Sequence, residues 1–172
     1  MFLNYIKSIL IKKVLKNSLR NVAMEDHKNP IKTVGLLVDE SYFLNTNPLI
    51  KEIVSNGIAE TDIKVIVYRD VLKKNESYSY TVFGLKDFNF KGVTELQSIN
   101  EFISDEFDLL INYYDVEKPV LLLLTSKSKA KFKVGFSSID KRLNHLTISC
   151  NTGNHKVFTH ELFRYLKILN KI

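Results

Sequence analysis

The chain holds one cysteine, Cys150, in 172 residues. A lone thiol cannot close an internal bridge, so a disulfide-stapled secreted scaffold is excluded and a reducing, cytoplasmic setting is expected. Long apolar runs are also scarce. Lys7, Lys12, Lys13 and Lys16 break the hydrophobic start into pieces of at most three residues, such as Ile9-Leu-Ile11. Such pieces supply neither the core of a signal peptide nor the roughly 20 apolar residues of a spanning helix. The six glycines stand singly. That removes the phosphate loops G-x-x-x-x-G-K-[ST] and G-x-G-x-x-G, and no cofactor is expected. Gly135-Phe-Ser-Ser138 lacks the second glycine of a nucleophile elbow, so serine hydrolase chemistry finds no support.

What is present describes a globular domain. Hydrophobic residues make up 45% and charged residues 26%, and the length is enough for a core without metal or bridges. The net charge of +6 is unevenly spread. Residues 1–33 carry 7 basic and 2 acidic side chains, residues 34–126 carry 8 and 15, and residues 127–172 carry 10 and 2. Two basic ends thus flank an acidic middle. This suits an anionic partner, with RNA or a ribosomal particle ahead of an anionic membrane surface. It equally suits basic ends that dock on the acidic middle.

Periodicity predicts the elements. Residues 2–23 read as an amphipathic helix with Leu3, Ile6, Leu10, Ile11, Val14, Leu15 and Val22 on one broad side and Lys12, Lys13, Lys16 and Arg20 opposite. Glu25 to Pro30 is polar and closes it, which divides the chain into a basic helix with linker over 1–30 and a single domain over 31–172. Continuous apolar runs at 33–38, 63–68, 108–114 and 132–136 suit strands buried on both faces, with shorter ones at 80–83 and 146–149. Helices are expected over 47–56, with Asn47 as cap and Pro48 at the first position, and over 95–104 and 156–170. Pro119 tips the ambiguous Val-Leu-Leu-Leu-Leu124 run to helix. The alternation predicts a Rossmann-like α/β fold, a mostly parallel sheet flanked by helices.

The stretch Phe107-Asp-Leu-Leu-Ile-Asn-Tyr-Tyr-Asp-Val-Glu-Lys-Pro119, running into Leu124-Thr-Ser-Lys-Ser-Lys-Ala-Lys-Phe-Lys-Val-Gly-Phe136, resembles a small family of Bacteroidota proteins of unknown function. Residues 33–137 are also similar to the acceptor-side half of heptosyltransferase-type glycosyltransferases, which read as an Asp-Leu-Val-Ile-Asp strand, a helix, and a basic turn into a Gly-Phe strand. That resemblance implies a Rossmann-like half and a catalytic aspartate after the first strand, with Asp39 the nearest match. Val38 stands where that family has glycine. The nucleotide sugar is bound there by a second half, so the likeness implies at most a reduced domain for a sugar or phosphorylated metabolite.

Asp39 and Glu40 follow the first strand, and Asp115 and Glu117 follow the strand at 108–114. Open α/β sheets place ligands at such carboxyl ends, and a carboxylate there can act as a base or hold a sugar hydroxyl. A solvated loop acid or a helix cap is the competing reading. Lys127, Lys129, Lys131 and Lys133 alternate, with Lys141 and Arg142 beyond them. Together with Lys12, Lys16 and Arg20 they are the candidate contacts to phosphates, and the alternation predicts a basic stripe on one strand face. A charged edge strand that blocks unwanted pairing is the alternative. His145, Cys150, His155 and His160 recur every five residues. That spacing scatters them around a helix, and no metal site is expected.

Overall fold

A computed structural model describes residues 2–19, 30–42, 45–72 and 78–172. Among them, six strands form one parallel sheet: β1 Val34–Asp39, β2 Ile63–Tyr68, β3 Thr81–Phe83, β4 Leu109–Tyr113, β5 Phe132–Phe136 and β6 Leu146–Ile148. Their order is β3-β2-β1-β4-β5-β6, the doubly wound order of a Rossmann-like fold, with every neighbouring pair parallel. The helices are α1 Phe2–Ser18, α2 Asn47–Ser55, α3 Gln97–Ser104, α4 Pro119–Lys127 and α5 His155–Ile168. Helices α3 and α4 pack together over one face of the sheet, α1 packs against α4, and α2 packs with α5 on the other face.

Two-sided cover explains the strand sequences. Every residue of β1 and β4 is buried, so an alternating pattern would place polar groups in the core. Gly35 serves this packing. A Cβ there would stand 2.6 Å from the Phe107 ring, whose centroid lies 5.0 Å from that of Phe102. The missing side chain lets both rings close over β1.

Some local expectations change. Thr46, not Asn47, caps α2; Asn47 is its first residue and accepts a hydrogen bond from the Tyr80 hydroxyl. Helix α3 starts two residues later than its apolar spacing suggested, because Leu96 is its cap. Helix α5 turns Phe158, Leu162, Phe163 and Leu166 inward and leaves Val157 and Leu169 exposed. The last residues assigned to the first helix, 20–23, lie outside the described residues.

The ambiguous run is helical. In α4, Val120 through Thr125 are all buried, so the helix has no polar face along that stretch. The sheet covers one side, and α1 packs on the other. Ile11 and Leu15, one turn apart, are the residues α1 buries. Gly92 marks the close approach beside them. Its φ is +70°, and a Cβ there would lie 2.3 Å from Leu123 and 3.7 Å from Ile11.

Candidate functional site at the carboxyl edge of the sheet

At the carboxyl end of β1 the sheet divides, with β2 on one side and β4 on the other. This is the switch point at which doubly wound sheets open a crevice. Lys118, the residue before α4, reaches into it. Its ammonium bonds Asp39 Oδ2 at 2.7 Å, Asp70 Oδ2 at 2.8 Å and the Ser41 hydroxyl at 2.8 Å. The rings of Tyr68 and Tyr42 lie 4.7 and 5.0 Å away. Two hydrogen bonds, to Ser41 and Asp70, and the ion pair with Asp39 thus engage the ammonium on three sides. Asp39 is likewise committed, because its Oδ1 accepts the Ser41 N–H at 2.9 Å. Burial pushes the Asp70 carboxyl up, but its bonds to Lys118, Tyr68 and Ser41 and the Lys118 charge outweigh that and hold it below its ordinary value. Burial, reinforced by Asp70 and Asp39, pushes the Tyr68 phenol far up, so it stays a neutral donor.

Glu40 forms a second closed unit. Its Oε2 accepts from Arg69 Nη2 at 2.7 Å and Nε at 3.1 Å, and Oε1 accepts from the Thr46 hydroxyl and the Thr46 N–H. Beside it lies a cavity of about 180 Å³ lined by Glu40, Thr46, Asn47, Arg69, Tyr78 and Tyr80 among others. The Arg69 guanidinium stacks 4.8 Å from the Tyr78 ring. Among the described residues, the buried Tyr78 hydroxyl has no hydrogen-bond partner.

The other two candidate carboxylates serve different loops. Asp115 accepts from the Thr152 hydroxyl at 3.2 Å, and Glu117 accepts the Asp140 N–H at 3.1 Å. The structure therefore groups Asp39 and Glu40 with Lys118, Arg69 and Asp70, and ties Asp115 and Glu117 to the segments after β5 and β6. Sequence reasoning missed Lys118, Arg69, Asp70 and Ser41. The carboxyl-end rule that singled out Asp39 and Asp115 also covers Arg69-Asp70 after β2 and Lys118 after β4.

The alternating lysines do not form one stripe. The strand begins only at Phe132, so Lys127 belongs to the last turn of α4 and Lys129 to the connection after it; both are exposed. Lys131 pairs with Asp108 at 2.8 Å. Burial pushes the Asp108 carboxyl up, but the bond to Lys131, two backbone N–H groups and the Lys131 charge take it down to about 2. Lys133 is buried, and its ammonium donates to the carbonyls of Thr125 at 2.8 Å and Ser128 at 2.7 Å. The physical reason is at the end of α4, where the last carbonyls lack intrahelical donors and attract a cation. Burial lowers the Lys133 ammonium to about 8. Lys141 is exposed, whereas Arg142 folds back on Asp140 at 2.6 Å. Lys12 and Lys16 are exposed on α1; Arg20 lies outside the described residues.

The histidine series is dispersed. His145 Nδ1 accepts the Lys133 N–H at 2.9 Å while its ring stacks on Phe132, and His155 opens α5. Burial and Asp115 push the half-buried Cys150 thiol up.

Residues 7–169 match the model of DUF6913, a family of unknown function. The chain belongs to that family. Comparison with curated proteins gives no match, and neither does comparison with solved structures. Among the described residues, no helix is long and apolar enough to cross a membrane.

Two stability predictions follow from these charges. Lys118→Met leaves Asp39 buried beside a single N–H donor and should destabilise the fold by about 3 kcal/mol or more, as breaking a buried pair on one side does. Adding Asp39→Asn should restore part of that loss. Urea denaturation of the two variants measures both effects, and equal stability of Lys118→Met and the parent would show that the pair is dispensable. Lys133 gives a pH signature. Its folded value of about 8 lies below the ordinary 10.5, so between them the folded state holds fewer protons than the unfolded chain. Stability should rise with pH through that window. The stability difference between the parent and Lys133→Met should therefore shift in the parent's favour from pH 8 upward, read by denaturation at several pH values.

Proposed function

We propose that this protein is a non-catalytic α/β module, working in a reducing cytoplasmic setting, that binds an anionic macromolecular surface. One observation carries the reading: the cations divide into two sets. Lys118, Arg69, Lys131 and Arg142 are spent on carboxylates, and Lys133 on carbonyls. Lys12, Lys13, Lys16, Lys127, Lys129 and Lys141 are exposed, and among the described residues no carboxylate pairs with them; Lys127 meets the Gly92 carbonyl at 3.4 Å. Unpaired exposed ammonium groups can neutralise the phosphates of a polyanion and displace the cations condensed on it, which drives association. The same division weakens a catalytic role for Asp39, since both its oxygens are engaged.

One observation favours a second reading, the sugar or phosphorylated metabolite implied by the glycosyltransferase resemblance. The unpartnered hydroxyl of Tyr78 borders the cavity beside Glu40, and a buried hydroxyl without a partner favours a ligand that would satisfy it. A saturable rise in melting temperature with a sugar phosphate, lost in Tyr78→Phe, would carry this reading over the first.

Salt titration tests the main proposal. Affinity for single-stranded RNA or another polyanion should fall steeply with salt, each phosphate contact contributing about −0.7 to the slope of log K against log salt. Lys127→Glu with Lys129→Glu should weaken binding and flatten the slope by more than one unit. Lys131→Gln should flatten it less, because its charge is already spent on Asp108. No salt-sensitive affinity for RNA or for anionic vesicles would overturn the proposal.

A further inference from the structure

We propose that the outer face of α1, with the turn beside it, is a docking surface for an anionic lipid bilayer. The inference rests on the anionic-partner reading and names the partner.

Helix α1 spends only a narrow seam on the domain. Ile11 and Leu15 are buried, whereas Phe2, Leu3, Tyr5 and Ile9 are 75%, 66%, 67% and 49% exposed, and Leu10 and Val14 are exposed as well. At 100° per residue these side chains are not scattered. Ile9, Phe2, Leu10, Leu3 and Val14 follow one another around the helix, running from opposite the buried pair to its flank, with Asn17 between Phe2 and Leu10. Lys12, Tyr5 and Lys16 line the other edge, and Lys13 sits within the stripe. Contiguous apolar surface of this kind on a folded domain marks a contact site.

The stripe continues onto the neighbouring turn. Lys7 lies between the buried seam and the Leu3–Leu10–Val14 flank. Its ammonium donates to the Leu85 carbonyl at 3.4 Å and stands 5.8 Å from the centre of the Phe90 ring. That places Phe90 beside the same flank. Phe90 and Val93 are exposed, as are Lys86 and Lys91 around them.

The chemistry selects the occupant. RNA would use the lysines and could stack on the aromatic rings, but it offers nothing to Leu3, Ile9, Leu10 and Val14, which would stay in water. A second copy of this chain meeting α1 with α1 would set lysines against lysines, since α1 contains no acidic residue. A bilayer with anionic headgroups takes both sets at once. The apolar side chains enter the acyl boundary while the lysine stems lie along it and hold their ammonium groups among the phosphates. The 17 residues of α1 extend about 25 Å, suited to lying in the interface.

Co-sedimentation of the full chain with vesicles tests the inference. Binding is expected to vesicles of mixed phosphatidylglycerol and phosphatidylcholine and to be much weaker with phosphatidylcholine alone. Leu3→Ser, Leu10→Ser and Phe90→Ser together should weaken binding about tenfold or more while leaving the urea midpoint unchanged, because these positions are exposed. Lys12→Glu, Lys13→Glu and Lys16→Glu together should remove the preference for phosphatidylglycerol and its salt dependence. Salt-sensitive binding to RNA without binding to vesicles would overturn this inference and leave the anionic-partner reading standing; binding to neither would end both. Undiminished vesicle binding by the serine variant would also overturn it. So would a concentration-dependent dimer that the serine variant abolishes, because a second copy would then cover the face.

Discussion

A helix without a polar face cannot border water, and α4 is such a helix. Burying each of its leucines contributes about 1.5–3 kcal/mol, so two left uncovered would remove a large part of the 5–15 kcal/mol that holds a typical domain folded. The sheet can cover only one side. The other side requires α1, which is why the basic amphipathic helix at 2–18 is packed on the domain through Ile11 and Leu15. Both ends of α4 then acquire fixed duties. The residue before it delivers Lys118 to the switch point, and its last carbonyls receive Lys133 from β5. Between the ends, the Thr125 hydroxyl donates to Asn112 in the middle of β4 and meets the Tyr114 hydroxyl, so the helix is keyed to one strand register.

The crevice is a consequence of that placement. Lys118 joins the chain after β1, the chain after β2 and the start of α4 through Asp39, Asp70 and Ser41. A buried ion pair adds little net stability relative to apolar packing, but breaking it on one side is costly. Its effect is therefore to fix how three segments meet at the switch point. Glu40 and Arg69, the residues that directly follow β1 and β2, form a second ion pair beside it. The edge where a Rossmann-like sheet opens is thus held by internal cations, and of the lysines singled out in the sequence those left for a partner lie on α1, after β4 at the end of α4, and at Lys141.

The fold was legible because burial on both faces writes itself into composition. Strands β1 and β4 are unbroken apolar runs, and Pro119 resolves the one run that suits strand or helix. The site was less legible, since its partners come from elements far apart in sequence. Lys133 alternates with Lys129 and Lys131 like any surface lysine, and only the tertiary position of the α4 carboxyl end makes it a buried cap. Asp39 was found by its place after a strand, but the ammonium that occupies it comes from a residue 79 positions later. On α1 the broad apolar side was legible, yet its division was not. The seam against one helix is narrow, and a helix of ordinary width covers it with two side chains, leaving the rest outside.

That division constrains how α1 can work. A basic amphipathic helix on a flexible leader would leave its domain to reach a surface, and the domain would hang from it in any orientation. Here departure would uncover α4, whose outer side has no polar residue from Val120 to Thr125 to offer water. The loss would oppose the gain from lipid contact residue for residue, since both are burial of apolar side chains at the same cost per area. Staying docked forfeits nothing, because Phe2, Leu3, Ile9, Leu10 and Phe90 already point away from the seam. A membrane-bound state of the kind proposed would therefore keep α1 on α4 and present the whole α/β domain to the surface in one orientation, set by the Ile11–Leu15 seam rather than by a linker.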